Sequence, residues 1–140
     1  QNLGVLEPND IFISLPATSP LRSSSDVDLA IERFQRSGAD ILFGVTPSQR
    51  NPYLNMVTAK DGLIEVVIPG HHGQRRQDMP DVYDVTTCVY ISQLEYILNC
   101  ERLMEGKVAY SEIPFERSLD IDTPFDFHVA KLLISHPFEG

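Results

Sequence analysis

The chain has 140 residues, 42% of them hydrophobic, which suffices for one domain or most of a larger one and excludes wholesale disorder. Its formal net charge of -9 repels nucleic acid and anionic lipid at long range, so neither a nucleic-acid nor a membrane partner is expected. Two cysteines make no disulfide framework, and no leader pattern or run of about 18 apolar residues is seen, so a cytoplasmic protein with reduced thiols is expected.

A strand follows almost at once after Gln1, so the chain reads as a fragment whose N-terminal part is missing. Ile11 to Leu15 (IFISL) is a short apolar run between Pro8-Asn9-Asp10 and Pro16, the pattern of a buried strand. Ala17 to Arg22 is then a loop at that strand's C-terminal end. Ser24 or Ser25 can cap a helix with Asp26 and Asp28 in its first turn. Val27, Ala30, Ile31 and Phe34 give that helix an apolar face, and Gly38 ends it in a left-handed cap.

Asp40 to Thr46 (DILFGVT) is a second buried strand, making a strand-helix-strand crossover of expected right hand. Ligands of such sheets sit beyond the C-terminal strand ends, which puts Ala17–Arg22 and Pro47–Pro52 on the site side. Tyr53 to Thr58 and Leu63 to Ile68 flank Lys60-Asp61-Gly62, a hairpin signal. Pro69 to Asp84 is a long polar loop. Thr87 to Ser92 is a strand in which Cys88 behaves as a small buried hydrophobe, and Leu94 to Asn99 is a short helix. Val108 to Ile113 is an edge strand. Thr123 caps a last helix with Pro124 at its first position, Asp126 three residues after the cap, and Phe127, Ala130, Leu133 and Ile134 as its core face.

Three motifs carry chemistry. In an extended Asp120-Ile121-Asp122 segment the two carboxylates point the same way and can share a hard cation, while Ile121 turns to the core. The plainer reading is that Asp122 assists the next helix and Asp120 is solvated. Arg75-Arg76-Gln77-Asp78 presents two guanidinium groups that can grip a phosphate or carboxylate, or be a solvated basic stretch. Thr18 and Ser19 offer hydroxyls at the sheet's ligand end, and Arg22 could reach a phosphate, unless the loop is only a helix entry. His71 and His72 are adjacent and would face opposite ways in a strand, a poor pattern for zinc. The Asp-x-Asp of Asp120-Ile121-Asp122 also resembles the opening motif of haloacid-dehalogenase-type phosphatases, but there it follows the first strand of the domain.

The ordered set resembles the cytidylyltransferases that activate sialic acids. It comprises Ala17-Thr18-Ser19-Pro20-Leu21-Arg22, Ala39 to Thr46, Arg75 to Pro80, Val89-Tyr90-Ile91 and Glu116 to Thr123. The resemblance covers nearly the whole chain and identifies it with the C-terminal portion of such an enzyme. It implies a Rossmann-like α/β nucleotidyltransferase sheet with helices on both faces and an inserted β-hairpin region at about residues 50–84 that builds a homodimer. It implies transfer of CMP from CTP to a sialic-acid-like nonulosonic acid with release of pyrophosphate. It further implies Mg2+ on Asp120 and Asp122, with Arg76 beside the acidic sugar or the phosphates. Arg75, Gln77, Tyr90 and Thr86 then fall on the substrate, and Thr18, Ser19 and Arg22 on the nucleotide. The family's N-terminal Gly/Ser/Lys phosphate loop is absent, so the chain alone is expected to be inactive; a non-catalytic dimerisation or sugar-acid-binding module is the alternative. Pro16 stands where sialic acid enzymes often carry Gln, and Thr86-Thr87-Cys88 replaces their Asn-Gly, leaving legionaminic- and pseudaminic-type acids open as substrates.

Overall fold

A computed structural model describes residues 7, 9–70 and 78–136. In chain order its elements are β1 (Ile11–Ser14), α1 (Ser24–Ser37), β2 (Ile41–Pro47), β3 (Val57–Lys60), β4 (Leu63–Val66), β5 (Tyr83–Gln93), α2 (Leu94–Asn99), β6 (Val108–Glu112) and α3 (Pro124–Ser135). A short 3-10 turn at Phe115–Arg117 precedes α3. The chain divides into two compact units, one of residues 1–46 and 85–140 and one of residues 47–84.

The first unit holds a four-stranded sheet in the order β1-β5-β2-β6. It is mixed: β1 runs antiparallel to β5, and β2 runs parallel to β6. The architecture is α/β and compatible with a Rossmann-like fold. The expected β1-α1-β2 unit is present as elements, but β5 lies between its two strands. A run of sequence shows which strands exist, and only the tertiary fold shows which strand slots between them.

β2 is the buried spine, with Ile41 to Thr46 all buried. Its Leu42 joins Cys88, Val89 and Ile91 of β5, Ala30 and Phe34 of α1, and Ile113 in one core cluster. The apolar face read for α1 is therefore used, and Cys88 packs as a small hydrophobe. β1 departs from its expected burial: Ile11 and Phe12 are exposed, because the strand sits at a sheet edge with only β5 beside it among the described residues. β6 takes the other edge, as its weak alternation suggests.

Helix α1 begins one residue before the expected caps. Ser23 is the N-cap, and with Asp26 it forms a reciprocal capping box; Gly38 closes the helix in the left-handed region at φ 58°. Helix α3 starts as read, with Thr123 and Asp126 forming a second capping box and Pro124 in the first turn. Its core face is narrower than read. Ala130 is buried, but Phe127 and Ile134 are exposed, so helical spacing located the helix without locating its partner.

The second unit contains the β3–β4 hairpin, paired antiparallel from Val57↔Val66 to Lys60↔Leu63. Its two-residue turn puts Asp61 at φ 51° and Gly62 at φ 80°, the left-handed pair that Asp-Gly favours. The strands are shorter than the two apolar runs that signalled them. Met56 and Ile68, at the rim of those runs, are engaged instead in loop hydrogen bonds: Val67 N–H donates to Met56 O and Ile68 N–H to Pro52 O.

Candidate functional site

The loop after β1 and the segment before α3 meet in the first unit. Ile121 N–H donates to Thr18 O at 2.9 Å, joining the two stretches backbone to backbone. Ser19 is buried and its Oγ shares a 2.6 Å hydrogen bond with Thr87 Oγ1 of β5. Arg22 donates through Nη1 to Cys88 O at 2.7 Å and to Pro16 O at 3.2 Å. One nitrogen of Arg22 and the hydroxyl of Ser19 thus brace the loop on β5, while Thr18 keeps its side chain exposed.

Asp120 and Asp122 differ in depth. Oδ1 of Asp120 is fully buried and has no hydrogen-bond partner among the described residues. Asp122 is exposed, and its N–H donates to Asp126 Oδ2. Ile121, expected in the core, is half-buried. Leaving a buried carboxylate oxygen unsatisfied is costly, more so when the group is charged. A hard cation satisfies such an oxygen directly, and Mg2+ takes one or two carboxylates with the remaining ligands from water and phosphate. The orphaned Oδ1, with a second carboxylate two residues on, therefore fits the implied ion. No group of three or more His, Cys, Asp or Glu side chains able to hold a metal occurs among the described residues.

Tyr90 of β5 is half-buried and meets Phe43 of β2 edge to face, with ring centroids 5.5 Å apart. Burial pushes its phenol above the ordinary tyrosine value, and the negative charge of Asp120 pushes it further. The electrostatic coupling relates Tyr90 to Asp120, two residues 30 positions apart in sequence. Thr86 is buried, and its Oγ1 accepts from Cys88 N–H at 3.4 Å. Gly44 of β2 makes room for it: a Cβ there would come within 3.0 Å of Thr86 Oγ1. Arg75, Arg76 and Gln77, with His71 and His72, lie outside the described residues.

Two features escaped the sequence reading. Asp26, read only as a helix-start acid, is buried and accepts a bidentate pair from Arg117 at 2.9 Å (Nε) and 2.8 Å (Nη2). Burial pushes its carboxyl up, but the hydrogen bonds from Arg117 and Ser23 outweigh that and hold it below the usual range. Arg117 is correspondingly raised, chiefly by its hydrogen bonds to Asp26. Thr46, at the C-terminal side of β2, is buried with Oγ1 unpartnered among the described residues. Arg117 lies in the Glu116 to Thr123 run that carries the family resemblance, whereas nothing in the sequence marks Thr46.

A cavity of about 860 Å³ lies elsewhere, at the N-terminal side of β2. Asp40, Glu95, Glu101 and Glu105 line it, so it repels a triphosphate or a sugar acid. The phosphatase arrangement also lacks its context, since Asp120–Thr123 follows a 3-10 turn rather than a strand end.

No family model matches the chain. It is 30% identical over 125 residues, 89% of its own length, to the post-translational flagellin modification protein B of Campylobacter coli, of which it covers 53%. It is also 30% identical over 126 residues, 90% of its length, to the CMP-N,N'-diacetyllegionaminic acid synthase of Campylobacter jejuni, again covering 53%. A Streptococcus agalactiae N-acylneuraminate cytidylyltransferase is 28% identical over 121 residues, 86% of the chain and 29% of that relative. The chain thus resembles sugar-acid cytidylyltransferases over nearly all of its length, and it spans about half the length of the first two relatives.

Proposed function

We propose that this chain carries the acidic wall of a cytidylyltransferase that moves CMP from CTP to a sialic-acid-like nonulosonic acid, releasing pyrophosphate. The observation that supports it best is the buried, unpartnered Oδ1 of Asp120, held beside the Thr18–Arg22 loop by the Ile121–Thr18 hydrogen bond. The similarity to named cytidylyltransferases gives that carboxylate a reaction to serve.

In this reaction the anomeric hydroxyl of the sugar acid forms a bond to the α-phosphorus of CTP, and the bond to the pyrophosphate breaks. Little covalent chemistry is asked of the protein; orientation and charge neutralisation dominate. Asp120 and Asp122 would hold Mg2+, which when bound supplies positive charge to the phosphates. Tyr90, half-buried on β5 and sensing the Asp120 charge, would pack against the sugar acid. Thr18 offers an exposed hydroxyl to the nucleotide, whereas Ser19 and Arg22 would act by holding their loop in place. Arg75, Arg76 and Gln77 complete the reading as the grip on the substrate carboxylate or phosphates, and Thr86 as a wall of the sugar pocket.

A homodimer built by the hairpin unit belongs to the same reading. Leu63 and Ile64 are 74% and 68% exposed at the β3–β4 turn, and a lone two-stranded hairpin is marginal in water.

The test is CTP-dependent pyrophosphate release by the full-length protein with a panel of nonulosonic acids. Asp120→Asn should lower turnover by about a hundredfold or more, the scale of losing a charge-stabilising group in the transition state. Near-normal turnover of that variant, or no CTP-dependent release with any sugar acid, overturns the assignment.

A further inference from the structure

The segment that carries Asp120 has no regular secondary structure of its own. Residues 118–122 lie between the 3-10 turn and α3, so neither a helix nor a strand ladder fixes their backbone. Something else must set where the carboxylate points. Besides the local bonds of Ser118 to Phe115 O and of Asp122 N–H to Asp126 Oδ2, the structure supplies a longer-range tether on each side of it. On the C-terminal side, Ile121 N–H is bonded to Thr18 O at 2.9 Å. On the N-terminal side stands Arg117, three residues before Asp120.

Arg117 is held by its side chain and its backbone at once. Its guanidinium makes the two-pronged ion pair to Asp26, whose side chain is 3% exposed. Its carbonyl oxygen accepts from Cys88 Sγ at 3.3 Å. Asp26 is itself fixed: Oδ2 accepts Ser23 N–H at 2.9 Å, and Asp26 N–H donates to Ser23 Oγ at 3.2 Å. The carboxylate thus serves as the capping acid of α1 and as the seat of the guanidinium at the same time. A planar fork on a capped, buried carboxylate permits far less rotation than a lysine ammonium would.

We infer that Arg117, seated on Asp26, is a positioning residue that fixes the Asp120 carboxylate for cation binding. The inference rests on the reading of Asp120 as a cation ligand. It assigns a role to a residue that touches neither the ion nor the substrate. The chain of attachment runs from the Ser23–Asp26 box at the start of α1, through the guanidinium, to the backbone of Arg117 and on to Asp120. Groups that orient metal ligands from behind typically change metal affinity by about 10–100-fold when lost. A small displacement of a ligand is enough, because Mg2+ demands near-ideal octahedral geometry.

The experiment measures Mn2+ affinity, as a stand-in for Mg2+, by electron paramagnetic resonance on the full-length protein, with thermal unfolding followed in parallel. Arg117→Lys keeps the charge but loses the fork, and Asp26→Asn keeps the capping oxygen but loses the charge. Each should weaken Mn2+ by about tenfold. In an Asp120→Asn background, neither should weaken it further. Loss of thermal stability with unchanged Mn2+ affinity in both single variants, while Asp120→Asn still weakens Mn2+, overturns the positioning role and leaves the ligand reading standing. Unchanged affinity in Asp120→Asn alone overturns the ligand reading and the positioning role with it.

Discussion

At the scale of single residues, the acids of this chain divide by what surrounds them. Asp26 is buried and doubly paired with Arg117, whereas Asp120 is buried at one oxygen with no partner among the described residues. The first pattern belongs to a structural carboxylate, and the second is the one that the proposed cation would satisfy. The Asp26 carboxyl lies below its ordinary value when folded, so folding releases its proton more readily. Its contribution to stability is therefore complete above the unfolded pKa, near about 4, and is lost as pH falls through the lower folded value. Urea denaturation midpoints measured from neutral pH down to about pH 2 should fall along this limb in the wild type. Asp26→Asn should be less stable at neutral pH and should show a shallower fall in the same window. Asp126 is also held low, chiefly by its side-chain hydrogen bond to Thr123, which with the backbone bonds from Thr123 and Asp122 outweighs desolvation, so part of the acid limb should survive in the variant.

At the scale of elements, the two capping boxes do more than start helices. Each places an acid at the third helical position, next to a stretch that the proposed site uses. In α3 the Thr123 hydroxyl both accepts Asp126 N–H and donates to Asp126 Oδ2, while the same Oδ2 accepts Asp122 N–H. Replacing Thr123 with Ala removes the cap oxygen and should cost about 1 kcal/mol of unfolding free energy, measured by chemical denaturation. A change below about 0.3 kcal/mol would mean that water replaces the hydroxyl at no loss, against what such caps usually contribute. The same spacing that announces α3 misplaces its face. Phe127 and Ile134 read as core residues and are exposed, because periodicity reports an apolar stripe and not what covers it.

At the scale of the whole molecule, two compact units carry different chemistry. The mixed sheet of the first buries a continuous core on β2 and β5 and presents the proposed acid segment. The second unit exposes apolar side chains on its hairpin, with Val57, Leu63 and Ile64 each about half or more exposed. If that unit builds a homodimer, Leu63→Lys with Ile64→Lys should shift the sedimenting species from dimer to monomer at micromolar concentration, with the far-ultraviolet spectrum unchanged. A wild-type protein that sediments as a monomer would remove the dimer from the proposal. Among the described residues no helix is long and apolar enough to cross a membrane.

The amino-acid sequence by itself determined which elements form. The buried run of β2, the Asp61-Gly62 turn, the Gly38 cap and the Thr123-Pro124 helix start are local matters of hydrophobicity, backbone freedom and side-chain hydrogen bonding, and all were readable in order along the chain. It also marked the Asp120-Ile121-Asp122 run, because an extended segment turns acids two residues apart to the same side. Only the tertiary structure decided that β5 lies between β1 and β2, that β1 is an exposed edge, and that Asp120 is buried at one oxygen while Asp122 is not. The pairing of Arg117 with Asp26, residues 91 apart, belongs to the same class. Such facts follow from which distant segments the core brings together, and a pattern read along the chain contains no term for a contact across it.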